Sequence, residues 1–322
     1  MAVYTRVPED ELRAFLAGYD IGRVLRTAGI TEGVENTNYL VEAESGRYVL
    51  TLYEKRVDPA DLPFFLGLME HLAGRGIPCP LPVHDRAGRV IRELAGRPAA
   101  LVTFLEGSSP RRIAPGHCLE LGRGLARLHL AGADFPLRRG NALSVAAWRS
   151  LLEPHLARAD ELEAGLSGEL ARELDELERE WPHDLPGGVI HADLFPDNAL
   201  FTDGRLSGII DFYFACNDLF AYDLAICLNA WCFEHEREFN ITKARALLRG
   251  YRKVRPLSRA EVEALPVLAR GAAIRFLATR LQDWFGRVEG ALVRPKDPME
   301  YVRKLRFHRG LSRPGSYGLD AA

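Results

Sequence analysis

Apolar residues recur at helical spacing at Leu12, Phe15, Leu16 and Tyr19, behind Pro8 and the acids Glu9, Asp10 and Glu11. Proline at the entry and acids in the first turn mark a helix start. Residues 38–43 and 47–53 alternate with a period of two on either side of Glu44, Ser45 and Gly46, which predicts a hairpin. Helical periodicity returns over 61–73 and stops at Gly74 and Gly76, and Pro78, Pro80 and Pro82 then force an extended connector. Residues 90–94 and 99–104 predict a second hairpin around 95–98. Beyond Pro115 the pattern is mostly helical, with predicted helices over 116–131, 169–181 and 219–233 and within 241–254, 258–285 and 297–308. The helix over 169–181 is charged enough to be solvated and laced with ion pairs. The one over 219–233 is apolar nearly all round and should be buried. The pattern changes at 106–110, which predicts an α+β chain in two lobes, 1–105 with an antiparallel sheet plus helix and 106–311 mainly helical. Residues 312–322 carry Pro and Gly without an apolar period and read as a disordered tail.

The 322 residues suffice for two lobes of ordinary size, and 47% hydrophobic with 27% charged content is that of a globular protein. A net charge of −2 removes any general case for binding nucleic acid or an anionic membrane, either of which favours a basic face. No apolar run reaches the roughly 18–20 residues that span a bilayer. The first residues carry no basic head with an apolar core behind it, so no signal peptide is expected. Cys79, Cys118, Cys216, Cys227 and Cys232 show no CxxC spacing and sit mostly in apolar surroundings. They read as reduced packing thiols of a cytoplasmic protein and argue against a metal–thiolate site.

The chemistry concentrates in GVIHADLFPDNALFTDGRLSGIIDFYFA, which starts at Gly188. His191, Asp193, Asn198 and Asp211 each stand beside predicted strand, and 199–202 with 207–210 read as a small hairpin around Asp203 and Gly204. Carboxylates and an amide carbonyl on strand ends suit Mg²⁺, a hard cation that prefers oxygen, and a further carboxylate can orient a substrate hydroxyl. That is minimal equipment for phosphoryl transfer.

HxDxxxxN followed by an apolar strand ending in Asp-Phe resembles the catalytic and metal-binding segments of protein-kinase-like enzymes. The form HADLFPDN is similar to that of the aminoglycoside phosphotransferase and choline kinase group. The resemblance implies a bilobal protein-kinase-like fold, with ATP and Mg²⁺ as cofactors. It implies Asp193 as the catalytic aspartate, Asn198 and Asp211 as metal ligands, and His191 as a brace of the loop. Asp218 and Asp223, in NDLFAYDLA, resemble a segment whose second Asp anchors the catalytic loop, which leaves Asp218 to face the substrate. The segment 32–40 occupies the place of the phosphate-covering loop, where backbone N–H groups around Asn36, Thr37 and Asn38 can turn toward phosphate oxygens. Residues 103–107, with Thr103 and Leu105, fall at the inter-lobe hinge that holds adenine.

One departure stands out. The strand after the phosphate loop of most kinase-like proteins carries a basic residue paired with a helix Glu. Thr51 falls at the basic position and Phe65 near the Glu. Lys55 lies on the same face as Thr51, four residues on, and is the candidate replacement.

Further segments, among them LTLYEKRV, RLHLAGADF and KLRFHR, make the chain similar to bacterial homoserine kinases of the aminoglycoside-phosphotransferase-like type from near residue 1 to about 309. This implies transfer of the ATP γ-phosphate to the side-chain hydroxyl of L-homoserine, a step toward threonine. A zwitterionic amino acid needs a cation for its carboxylate, and IRFLATRLQDW sets Arg275 and Arg280 inside an apolar helix. Arg280, Asp283 and Trp284 share a face, so an internal Arg–Asp ion pair is the competing reading. Trp231 and Asn229 are further pocket candidates, and Asn141 another. Two other functions stay open: a kinase for an aminoglycoside, choline or a sugar, and a nucleotide-binding regulator without turnover.

Overall fold

The computed structural model describes residues 5–30, 36–54, 57–286, 295–311 and 314–319. The opening helix, α1 (Glu9–Leu16), buries Leu12, Phe15 and Leu16. They share one core with alternate residues of the small-lobe sheet, among them Tyr39, Val41, Leu50 and Leu101. The sheet is built from β1 (Val24–Ile30), β2 (Thr37–Ala43) and β3 (Gly46–Leu52), then, after α2 (Leu62–Gly74), from β4 (Arg92–Leu94) and β5 (Arg97–Thr103). Its order is β1-β2-β3-β5-β4, antiparallel throughout. Successive side chains of a strand point to opposite faces, and β5 uses both. Ala99 and Leu101 face the α1 core, whereas Ala100 and Val102 join a larger core that takes in α2 and the rest of the chain.

The large lobe contains α3 (Pro115–Ala131), α4 (Val145–Ala159), α5 (Leu166–Glu180), β6 (Gly187–Ile190), β7 (Ala199–Thr202), β8 (Arg205–Ile209), β9 (Cys216–Leu219), α6 (Phe220–Trp231), α7 (Ile241–Arg252), α8 (Arg259–Phe285) and α9 (Met299–Arg309). β6 pairs antiparallel with β9, and β7 with β8, so two short ribbons carry the motif residues. α8 starts on a reciprocal cap, in which Glu261 N donates to Ser258 Oγ at 3.2 Å and Ser258 N to Glu261 Oε2 at 2.9 Å. The connection between lobes is pinned to the β7–β8 ribbon, with Ser108 N donating to Phe201 O at 3.1 Å and Ser207 Oγ to Glu106 O at 2.9 Å. Gly107 makes this possible. It holds φ +130°, and a Cβ there would lie 2.5 Å from Ser207 Oγ.

Four features depart from the pattern. The pattern gave no warning of β1, an edge strand with no fully buried residue, or of α4, whose period Pro154 interrupts. The helix expected over 219–233 starts at Phe220 because Cys216–Leu219 pairs with β6 first. The tail expectation fails at 314–319: Pro314–Tyr317 is a 3-10 turn, and Tyr317 is fully buried with its hydroxyl 2.8 Å from His308 Nδ1. Among the described residues no helix is long and apolar enough to cross a membrane.

Candidate active site

Asp193 sits on the loop that leaves β6, and that loop is held from beneath. Asp223, in the first turn of α6 and fully buried, accepts His191 N at 2.8 Å and Ala192 N at 2.9 Å. Its Oδ2 also meets His129 Nε2 at 3.0 Å, and His129 Nδ1 faces the Tyr251 hydroxyl at 2.7 Å. Burial pushes the Asp223 carboxyl up, but the His129 hydrogen bond and the nearby loop amides outweigh it and hold the group below its ordinary range. Burial likewise lowers His129 and His191, so both imidazoles are neutral at pH 7. His191 Nδ1 accepts from Asp193 N at 3.3 Å, which leaves Nε2 to donate to Ile210 O at 3.0 Å. His191 is therefore a brace between the two motif segments, as the resemblance implied. The loop also needs a left-handed residue, Ala192 at φ +62°, and the segment after β8 another, Asp211 at φ +66°. Each such position costs a non-glycine residue about 1 kcal/mol or more, offset here by the bonds to Asp223 and Ile210.

Asn198 Nδ2 donates to Asp193 O at 2.8 Å and lies 3.3 Å from Asp193 Oδ2. Ile210 N donates to Asn198 O at 3.0 Å, which ties the Asn198 and Asp211 segments together. With its amide nitrogen committed to Asp193, Asn198 keeps a side-chain oxygen, and Asp211 adds a carboxylate. Two oxygen donors suit a hard cation that takes its other ligands from phosphates. Among the described residues no group of three His, Cys, Asp or Glu forms a metal cage.

Arg275, on α8 and 4% exposed, reaches Asp193 Oδ1 with Nη1 at 3.3 Å, its guanidinium 3.8 Å from the Phe276 ring centroid and 5.0 Å from that of Phe214. Asp218, on β9, accepts from Asn141 Nδ2 at 2.7 Å and is pushed up chiefly by burial. Asn141 thus joins the site through Asp218. Beside it, Arg139 pairs with Asp61 at 2.7 Å and covers Phe65 at 5.0 Å, bridging the lobes.

Other expectations are corrected. Trp231 is fully buried and donates Nε1 to Leu194 O at 2.8 Å, so it supports the Asp193 loop from the core rather than lining a pocket. The Arg280 guanidinium binds Glu300 and Asp297 O and lies over Tyr301, so it joins α8 to α9, with Lys304 completing the buried cluster. Asn229 is core too, joined to Ala269 O and His308. At the nucleotide end, Asn36 Oδ1 accepts from Glu54 N at 3.1 Å, Thr37 Oγ1 donates to Glu54 Oε1 at 2.9 Å, and Asn38 Oδ1 accepts from Thr51 Oγ1 at 2.8 Å. These side chains fasten the start of β2, with Thr37 and Asn38 inside the strand. The Thr103 amide donates to Leu81 O at 2.9 Å, so its N–H is committed within the small lobe. Lys55 lies outside the described residues. Sequence reasoning missed His129 and Tyr251, 94 and 122 positions from their partners, and Tyr213, although it follows Asp211-Phe212 directly.

The family model for a phosphotransferase enzyme family matches residues 26–257. The homoserine kinase of Rhodospirillum rubrum is 63% identical over 99% of this chain and all of its own length, and that of Xanthobacter autotrophicus 64% identical over all of both. Among solved structures, an amicoumacin kinase in complex with AMP-PNP and Ca²⁺ gives a TM-score of 0.69 at 17% identity, covering 94% of this chain and 92% of its own. Choline kinase from Cryptosporidium parvum gives 0.68 at 15% identity, covering 94% of each chain. The fold is thus the bilobal protein-kinase-like one of the aminoglycoside and choline kinases, and the chain belongs to the phosphotransferase enzyme family.

Proposed function

We propose that the protein phosphorylates the side-chain hydroxyl of L-homoserine with ATP, giving O-phospho-L-homoserine and ADP. The observation that carries the site reading is the position of Asp193, a carboxylate on a braced loop with Asn198 on one side and Arg275 on the other. The acceptor comes from the likeness to homoserine kinases over the whole chain.

Asp193 accepts a hydrogen bond from the homoserine hydroxyl and takes its proton as the oxygen–phosphorus bond forms and the bond from the γ-phosphorus to the bridging oxygen of ADP breaks. Asn198 and Asp211 would hold Mg²⁺, which when bound neutralises charge on the phosphates. Arg275 turns its guanidinium to the α-carboxylate of the amino acid, for which planar, multi-donor geometry suits it better than an ammonium would. Asp218 receives the α-ammonium. Its burial penalises a lone negative charge, and a bound cation relieves that penalty. Adenine lies against the hinge at Leu105, while Asn36, Thr37 and Asn38 hold in place the strand that follows the phosphate loop.

The test is ADP release by the purified protein with MgATP and homoserine, serine, choline or kanamycin in turn. Homoserine alone should support rapid turnover, and Asp193→Asn should lower kcat by about 10²–10⁴-fold. Stimulation by choline or kanamycin but not homoserine would replace the acceptor. No stimulation by any of them would favour a nucleotide-binding regulator.

A further inference from the structure

Protein kinases align their lobes on MgATP through a Lys–Glu pair between the third small-lobe strand and the helix behind it. Thr51 on β3 and Phe65 on α2 stand in those places here, both buried. The gap between them is filled from the other lobe. The Tyr213 ring packs edge-on against Phe65, centroids 5.8 Å apart, and edge-on against Tyr53 at 5.4 Å. Its hydroxyl lies 3.4 Å from the Tyr53 hydroxyl and faces that of Thr51, which in turn donates to Asn38 Oδ1 on β2 at 2.8 Å. Tyr213 is two residues from Asp211, whose left-handed backbone fixes how the segment leaves the β7–β8 ribbon. Arg139, over the Phe65 ring and paired with Asp61, closes the same seam from the other side.

We propose that Tyr213, seated against Thr51, Tyr53 and Phe65, is the positioning residue that fixes Asp211 relative to the small lobe, doing with hydroxyls and ring edges what a buried ion pair does in protein kinases. Neutral groups fit the task because opening the lobes then strands no buried charge, and edge-to-face aromatic contacts add attraction beyond the area they bury. The inference rests on the reading of Asp211 as a ligand of the nucleotide-bound metal.

The experiment titrates AMP-PNP into the full-length protein by calorimetry, with and without Mg²⁺, for wild type, Tyr213→Phe, Tyr53→Phe and Tyr213→Ala. Because Tyr213 acts through Asp211, Tyr213→Phe should weaken Mg–AMP-PNP binding by about tenfold, the worth of one hydrogen bond. Its metal-free binding and the KM for homoserine should match wild type. Tyr53→Phe should repeat the pattern, and Tyr213→Ala should exceed both. Tyr213→Phe binding Mg–AMP-PNP as tightly as wild type, or losing equal affinity with and without Mg²⁺, overturns the proposal. If the wild type binds Mg–AMP-PNP but does not turn over homoserine, the acceptor reading fails while this one is still decided.

Discussion

The guanidinium of Arg275 lies 3.3 Å from Asp193 Oδ1 and 3.8 Å from the centroid of Phe276, so its charge and its plane are set by different neighbours. A lysine keeps the charge but cannot stack or present two parallel donors. Arg275→Lys should therefore raise the KM for homoserine by about tenfold, the loss of one good charge-assisted contact, and lower kcat less. Steady-state kinetics at saturating ATP measure this, and an unchanged KM removes Arg275 from substrate binding. The same residue shows what was legible at this scale. Asp193, Asn198 and Asp211 stand at local spacings that the chain itself reveals, because the loop and ribbon joining them are short. Trp231 and Arg280 looked like pocket residues for the reason Arg275 did: an aromatic or cationic side chain in an apolar helix reads alike whether it meets a core carbonyl, a buried Glu or a ligand. Only the packing of α6, α8 and α9 separates those cases.

Between elements, the close approach of α3 and α7 bears most directly on the site, since α3 delivers His129 to Asp223 and α7 delivers Tyr251 to His129. The helices touch through two glycines. A Cβ at Gly122 would lie 2.1 Å from Leu247 O, and one at Gly250 2.1 Å from Leu119 O. Both obstacles are backbone, which cannot turn aside as a side chain would. Gly250→Ala should cost about 1–3 kcal/mol, read as a lower urea midpoint with an unchanged slope; a midpoint at or above wild type would mean that the helices part freely. Neither glycine announced this role, because a glycine inside a helical pattern looks the same whether it faces solvent or another backbone. α5 was legible in outline only. Its expected ion pairs exist and Arg172, Asp175, Glu178, Arg179 and Glu180 are exposed as expected, yet Arg270 reaches Glu173, which is fully buried, so one charge of the helix is packed.

Across the whole molecule, α8 sends one arginine to each of three neighbours. Arg270 binds α5, Arg275 the Asp193 loop and Arg280 α9. Five-residue spacing turns each about 140° from the last, which lets one helix hold three directions at once. Stability should also carry the mark of three buried neutral imidazoles. Burial lowers His129, His191 and His308, the last to about 3. In the unfolded chain each titrates near 6.5. On acidification the unfolded state therefore takes up protons first, and stability, full above about pH 6.5, falls as the pH drops toward the folded values. Asp223 adds nothing in that window. Its folded value is depressed, so its share persists until the pH falls below about 4. Thermal melts from pH 7.5 to 4.5 should show Tm declining from about pH 6.5, more shallowly in His308→Gln; a flat Tm down to pH 5 contradicts this. The residues that steady the Asp193 loop, namely His129, Trp231, Asp223 and Tyr251, come from α3, α6 and α7, whereas Asp218, Asn141 and Arg275 lie on β9, the segment before α4, and α8. In the proposed mechanism, support of the Asp193 loop and recognition of the acceptor thus fall to different elements. On the proposed roles, exchanging residues on the acceptor wall would change which hydroxyl is phosphorylated while leaving the supports of the Asp193 loop in place.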